Sequence, residues 1–338
     1  MSEQGGVSAG VPPSMPPGVP AGMPVPPRAD SRAGVSGVVS AGAGSALLFA
    51  AVLFHPLLFP IATFSPLPLS LQRLRRGLSS GLLAALLAAS LLAGVFSPGQ
   101  GLVFAALFAL PGLLIAEGMA RGRGLRRGAL WAFLAVAAVL ATALFFASGS
   151  LLLRALGPIE YAQGPEFLGQ LKESGWTADM ITQWSSQWKA TGEILTVVYP
   201  AAYIIWGGFV VLANAALLRL YLSRRDPGWL DGSEFEGLRV PIGMAVAFVL
   251  AGGAVVFQAL RPAAYNVLLV LAFFFGLQGL AVVSFYARRL AAPPLLRAAV
   301  VLLVLVNPWA PQILALMGLF DIWLDLRKYA EPPAETGA

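Results

Sequence analysis

The sequence predicts an all-α protein: a polytopic transmembrane helical bundle of about eight to ten membrane segments, with a disordered Pro/Gly-rich N-terminal tail. Three observations carry that prediction. Charged residues make up 11% of the chain and apolar residues 58%, too little polar surface to coat a soluble globule. Apolar runs long enough to cross a bilayer recur along most of the length. Between them the basic residues fall into four groups, Arg73/Arg75/Arg76, Arg121/Arg123/Arg126/Arg127, Arg219/Arg224/Arg225/Arg239 and Arg288/Arg289/Arg297, which together hold fourteen of the 22 Lys and Arg. Loops that stay in the cytoplasm retain Lys and Arg, so these groups mark an inner face and the basic-poor connections an outer one.

Residues 1–34 repeat Pro, Gly, Val and Met without helical or strand period and read as a disordered, partly polyproline-II tail. The membrane domain is expected over 35–328. Its first apolar run, 35–71, is interrupted by His55-Pro56, Pro60 and Pro66-Leu67-Pro68; prolines break a helix where a hairpin needs it broken. A span over 38–54 with a short return over 57–71 is therefore favoured over one straight crossing, which places the N-terminus in the cytoplasm. Clear spans follow at 78–96, 102–120, 128–153, 194–222, 240–260 and 265–285. The largest outer connection, 157–193, carries Met180, Trp184 and Trp188 at four-residue intervals, the pattern of an amphipathic helix whose tryptophans Trp184 and Trp188 anchor at headgroup depth. The last apolar stretch, 295–326, breaks at Asn307-Pro308-Trp309-Ala310-Pro311. Either it runs straight and delivers Arg327 and Lys328 outside, or it turns back and returns them inside, which the orientation rule prefers. Residues 329–338 form a polar tail.

Several chemistries are excluded. The chain has no cysteine, hence no disulfide and no thiolate chemistry. Gly77-Leu78-Ser79-Ser80-Gly81 matches the hydrolase pattern G-x-S-x-G, but it opens a membrane helix, and the one histidine, His55, belongs near the far end of the first span, about 30 Å away. No metal site or cofactor is expected, and the net charge of +6 is accounted for by the loop arginines, without a nucleic-acid partner. Gly122-Arg123-Gly124 lacks the strand and spacing of a phosphate loop.

Two buried amides stand out. Gln278 lies ten residues before Arg288 and Asn307 ten residues after Arg297, so each is expected roughly 15 Å from the inner face. At one depth on consecutive segments, they can bond one another or line a shared cavity with Gly276 and Gly279. Asp321 and Asp325 share a helix face, with Arg327 and Lys328 close enough to neutralise them.

The run Phe273-Phe274-Phe275-Gly276-Leu277-Gln278-Gly279-Leu280-Ala281, the exit Tyr286-Ala287-Arg288-Arg289, Asn307-Pro308 and the stretch from Leu316 to Lys328 resemble the YybS-like family of bacterial predicted membrane proteins, a domain of unknown function (DUF2232). The resemblance covers roughly residues 40–328. It implies a distant similarity to the substrate-binding subunits of energy-coupling-factor transporters, hence small-solute binding and an energy-coupling or other membrane partner, in a bacterial cytoplasmic membrane. The leading expectation is a transporter-like protein that contacts lipid and binds a solute at Gln278, Asn307, Gly276 and Gly279. The alternative is a membrane scaffold whose polar residues only pack helices. A membrane enzyme ranks third, because no paired acid/base set is visible.

Overall fold

In the computed structural model the described residues are 32–55, 58–230, 235–290, 293, 307 and 309–328. The tail expected over 1–34 lies outside them except for its last three residues, as do the C-terminal tail and residues 295–306 and 308 of the final apolar stretch.

Helix α1 (Arg32–Phe54) ends at His55, and the chain turns through α2 (Phe59–Ala62) into α3 (Pro66–Arg76). Pro66 starts α3 where a missing N–H costs nothing, and Gly77, with φ at +94°, ends it in a conformation that favours glycine. α3 runs back along α1 until the Arg76 side chain reaches Gly37, the hairpin anticipated from the prolines. Helix α4 (Leu78–Val95) follows; the G-x-S-x-G motif is its first turn, and Ser80 Oγ accepts a hydrogen bond from Gln72 Nε2. Ser97 caps α5 (Pro98–Phe104), which continues through a π-helical segment, Ala105–Ala109, into α6 (Leu110–Ala120). The wider turn, in which Leu110 N–H reaches Ala105 O, falls where Pro111 would otherwise crowd the preceding turn.

The two longest helices are α7 (Gly124–Ala162) and α9 (Ala178–Arg225), joined through α8 (Pro165–Glu173). At 48 residues α9 measures about 72 Å along its path, more than twice the hydrocarbon thickness. The expected outer loop is thus mostly continuous helix: its polar residues ride on the extensions of two spans. Helix α7 changes direction at Ala147 (φ −131°, ψ 25°), and α9 carries Pro200 within its length at a matching level, where Tyr203 Oη donates to Leu151 O.

The chain ends with α10 (Ile242–Ala254), α11 (Arg261–Arg289) and, after the Asn307-Pro308 break, α12 (Ala310–Leu324). Gly276 lies beside Pro311, Gln278 bonds Asp321 and Tyr286 bonds Leu326, so α11 and α12 run parallel. The last segment therefore returns Arg327 and Lys328 to the end of the bundle where α11 finishes. Among the described residues six helices are long and apolar enough to cross a membrane, and α10 and α12 are shorter apolar helices; these eight meet the lower bound of the expectation.

The interior is packed in three groups. Phe49, Phe104 and Phe108 meet edge to face between α1 and the α5–α6 rod. Ile115, Val136, Leu140, Val211 and Leu218 fill the space among α6, α7 and α9. Val240, Leu271 and Phe275 form the third group with α10 and α12, joined to the rest where Phe274 packs on Phe133 and Phe273 on Gly208.

Candidate functional site at the arginine-rich end

The arginines expected to set topology gather at one end of the bundle. Arg75, at the end of α3, reaches Asp226 just past α9 at 3.4 Å, and its guanidinium lies over the ring of Tyr221. Arg73 and Arg121 both pair with Glu117. Arg126, flanked by Arg123 and Arg127 at the start of α7, donates to Gly237 O at 3.5 Å, and Arg288 pairs with Glu236 at 3.2 Å. Arg224 and Arg225 close α9, and Arg289 closes α11.

Within this end lies a buried polar cluster. Gln278 is 1% exposed. Its Oε1 accepts from Val240 N at 2.7 Å, while its Nε2 donates to Asp321 Oδ2 at 2.7 Å. Asp321 Oδ2 also accepts from Arg327 Nη2 at 3.0 Å, and Oδ1 accepts from Leu326 N at 3.0 Å. Arg327, 5% exposed, further donates to Glu236 O at 2.7 Å and Leu238 O at 2.8 Å. The turn that aims it inward depends on Asp325, which ends α12 at φ 44°; aspartate tolerates this left-handed conformation better than most residues. Asp325 itself pairs with Arg239 at 3.0 Å and Lys328 at 3.5 Å. Burial pushes its carboxyl up, but the bonds and charges of Arg239 and Lys328 outweigh that and hold it below its ordinary value. The two aspartates expected to share one neutralising pair instead divide it.

The glycines serve close packing. A side-chain carbon on Gly279 would collide with the Leu314 carbonyl, and one on Gly318 with the Phe275 carbonyl, so the backbones of α11 and α12 touch. Gly276 is looser, its nearest neighbour being Pro311 O at 4.0 Å. Asn307 is not at the level of Gln278. Its Oδ1 accepts from Trp309 N at 2.9 Å, starting α12, and Asp321, the partner of Gln278, is fourteen residues on, about 20 Å along the helix. Among the described residues the two amides do not bond one another, and neither lines either of two cavities that lie elsewhere. One, of about 310 Å³, lies between the far ends of α7 and α9, lined by Glu160, Gln163, Lys189 and Glu193 among others, and one of about 220 Å³ lies between α1 and α3.

Trp184 and Trp188 lie on the extension of α9, about 55 Å or more along its path from Arg225. Trp184 Nε1 donates to Ala162 O at 3.1 Å, and its ring sits among Phe167, Trp176 and Trp188 with centroids 5.4 to 5.9 Å apart. The stripe thus holds α7, α8 and α9 together at the tip of the hairpin.

One polar residue went unread in the sequence. Asn266 Oδ1 accepts from Ala201 N, and its Nδ2 donates to Val197 O, each at 2.8 Å, so an α11 side chain brackets the α9 turn next to Pro200. A proline inside a long apolar helix was the signal that such a partner was needed.

A helical bundle with six membrane-length apolar helices and its four arginine groups at one end is a polytopic membrane protein. The chain belongs to the family of predicted membrane proteins DUF2232, which it matches over residues 43–322. No curated protein and no solved structure shows significant similarity to it.

Proposed function

We propose that this chain is a membrane scaffold or interaction protein rather than a solute carrier, set in a bacterial cytoplasmic membrane with its arginine-rich end and N-terminus in the cytoplasm. The observation that carries the proposal is the bonding of Gln278: each end of its amide is bonded to protein, to Val240 N and Asp321, in a site that is 1% exposed. A solute site at this depth needs polar groups turned into a cavity. Here they are turned into one another, and the glycines expected to line a cavity at Gln278 instead face or closely approach the backbone of α12. The sidedness follows from retention of basic loops in the cytoplasm.

A second reading keeps solute binding but moves it to the opposite end, into the cavity of about 310 Å³ where Glu160, Lys189 and Glu193 face one another. A thermal-shift panel of vitamins, nucleosides and amino acids on the purified full chain separates the two. The scaffold reading expects no saturable shift. A shift abolished by Gln278→Leu would restore the carrier reading in its first form, and one abolished by Lys189→Ala would establish the second.

A further inference from the structure

We infer that the groove between α1 and the end of α3 seats the phosphate of an anionic phospholipid. The three arginines that close α3 are not equivalent. Arg73 is turned to Glu117 and Arg75 to Asp226 and Tyr221. Arg76 has no hydrogen-bond acceptor among the described residues, and its Nη1 is shut off from solvent, pressed against Gly37 where a side chain would collide with it. A guanidinium nitrogen in that state lacks the acceptor that buried cations normally take.

Beside it opens the cavity of about 220 Å³, lined by Gly37, Ser40, Gln72 and Arg75 on its polar side and by Ala41, Pro68 and Leu71 on its apolar side. Arg75 bonds Tyr221 and Asp226 through Nη2 alone, which leaves its Nε and Nη1 to donate to a phosphate, and a small movement of the long Arg76 side chain adds a second cation. The apolar wall of Ala41, Pro68 and Leu71 gives the acyl chains a surface that a free phosphate would not use. Basic pockets between membrane helices recognise anionic head groups in this way.

The test uses the full chain purified in neutral detergent, with phosphatidylglycerol and phosphatidylcholine of identical acyl chains as probes, read by thermal shift and by lipid retention in native mass spectrometry. Phosphatidylglycerol should bind about fivefold more tightly per unpaired arginine engaged. Arg76→Gln and Gly37→Leu, which fills the groove, should each abolish the preference, while Arg126→Gln should retain it. Equal binding of the two lipids by the native chain would overturn the inference, as would a preference surviving both groove substitutions or lost equally in Arg126→Gln. Inorganic phosphate giving the same saturable stabilisation would assign the groove to a soluble anion and overturn the lipid. Should Arg76→Gln fail to fold, Gly37→Leu and the native comparison decide.

Discussion

Gln278 Nε2 donates to Asp321 Oδ2 at 2.7 Å, and through this bond α11, the last turn of α12 and the segment before α10 become one unit. Asp321 in turn holds Arg327, which reaches back to Glu236 O and Leu238 O. Three stretches far apart in sequence meet at a group of polar atoms almost entirely removed from solvent.

Because both charges are buried, breaking the pair from one side should cost more than removing it. Asp321→Ala or Arg327→Ala alone should destabilise the protein by about 3–5 kcal/mol. The double substitution Asp321→Leu with Arg327→Met should cost less than the sum of the singles. Thermal unfolding in detergent across the cycle measures the coupling, and additive losses would show that the two residues act independently.

The contact between α11 and α12 leaves no room at two glycines and some at a third. Gly279→Ala and Gly318→Ala should each cost about 1–3 kcal/mol or more by forcing the backbones apart. Gly276→Ala, with its nearest neighbour at 4.0 Å, should change stability by less than about 0.5 kcal/mol. The same unfolding assay ranks them.

Asn266 serves a backbone turn on another helix, so its loss should be felt in α9. Asn266→Ala should destabilise by about 0.6–1.7 kcal/mol, the range for polar contacts between membrane helices. Spin labels on either side of Pro200 should report a changed distance distribution, whereas an unchanged one would show that Asn266 does not set the shape of α9 at that turn.

The Asp325 carboxyl lies below its ordinary 3.8 in the folded chain. Its contribution to stability is therefore complete at neutral pH and is lost as the pH falls through the folded value. The difference in unfolding temperature between the native chain and Asp325→Asn should stay constant above about pH 5 and close in stronger acid. A gap that widened in acid would reverse the sign.

Sidedness has a direct assay, since the chain has no cysteine of its own. Single cysteines at Asp30, Glu160 and Ala330 should label from outside the cell only at position 160. Labelling at 330 from outside would mean that the C-terminus emerges opposite the arginines.

The arginine clusters made the ends of the bundle legible, and the clear spans were located within a few residues at most of their arginine-proximal ends. What they measured was distance from one face, which is silent about rotation, so Gln278 could be placed in depth without its partner being recognised as Asp321. Asn307 was misplaced because its depth was counted forward from Arg297, while the helix it starts is fixed from its other end by Asp321 and Arg327. The polarity of 157–193 suggests an outer loop with one amphipathic helix in it, yet polarity is also what a spanning helix shows once it leaves the apolar zone. Asn266 was missed for the opposite reason: a single amide in an apolar run gives no period, and its role depends on Pro200 in a different helix.

The bridge from Asn266 to the turn at Val197 and Ala201 also sets an order of events in time. A ribosome delivers Ala201 65 residues before the asparagine, so α9 enters the bilayer without its bridge and receives it only when α11 arrives. The bonding of the turn next to Pro200 is thus a late step of assembly, completed after most of the chain has been made.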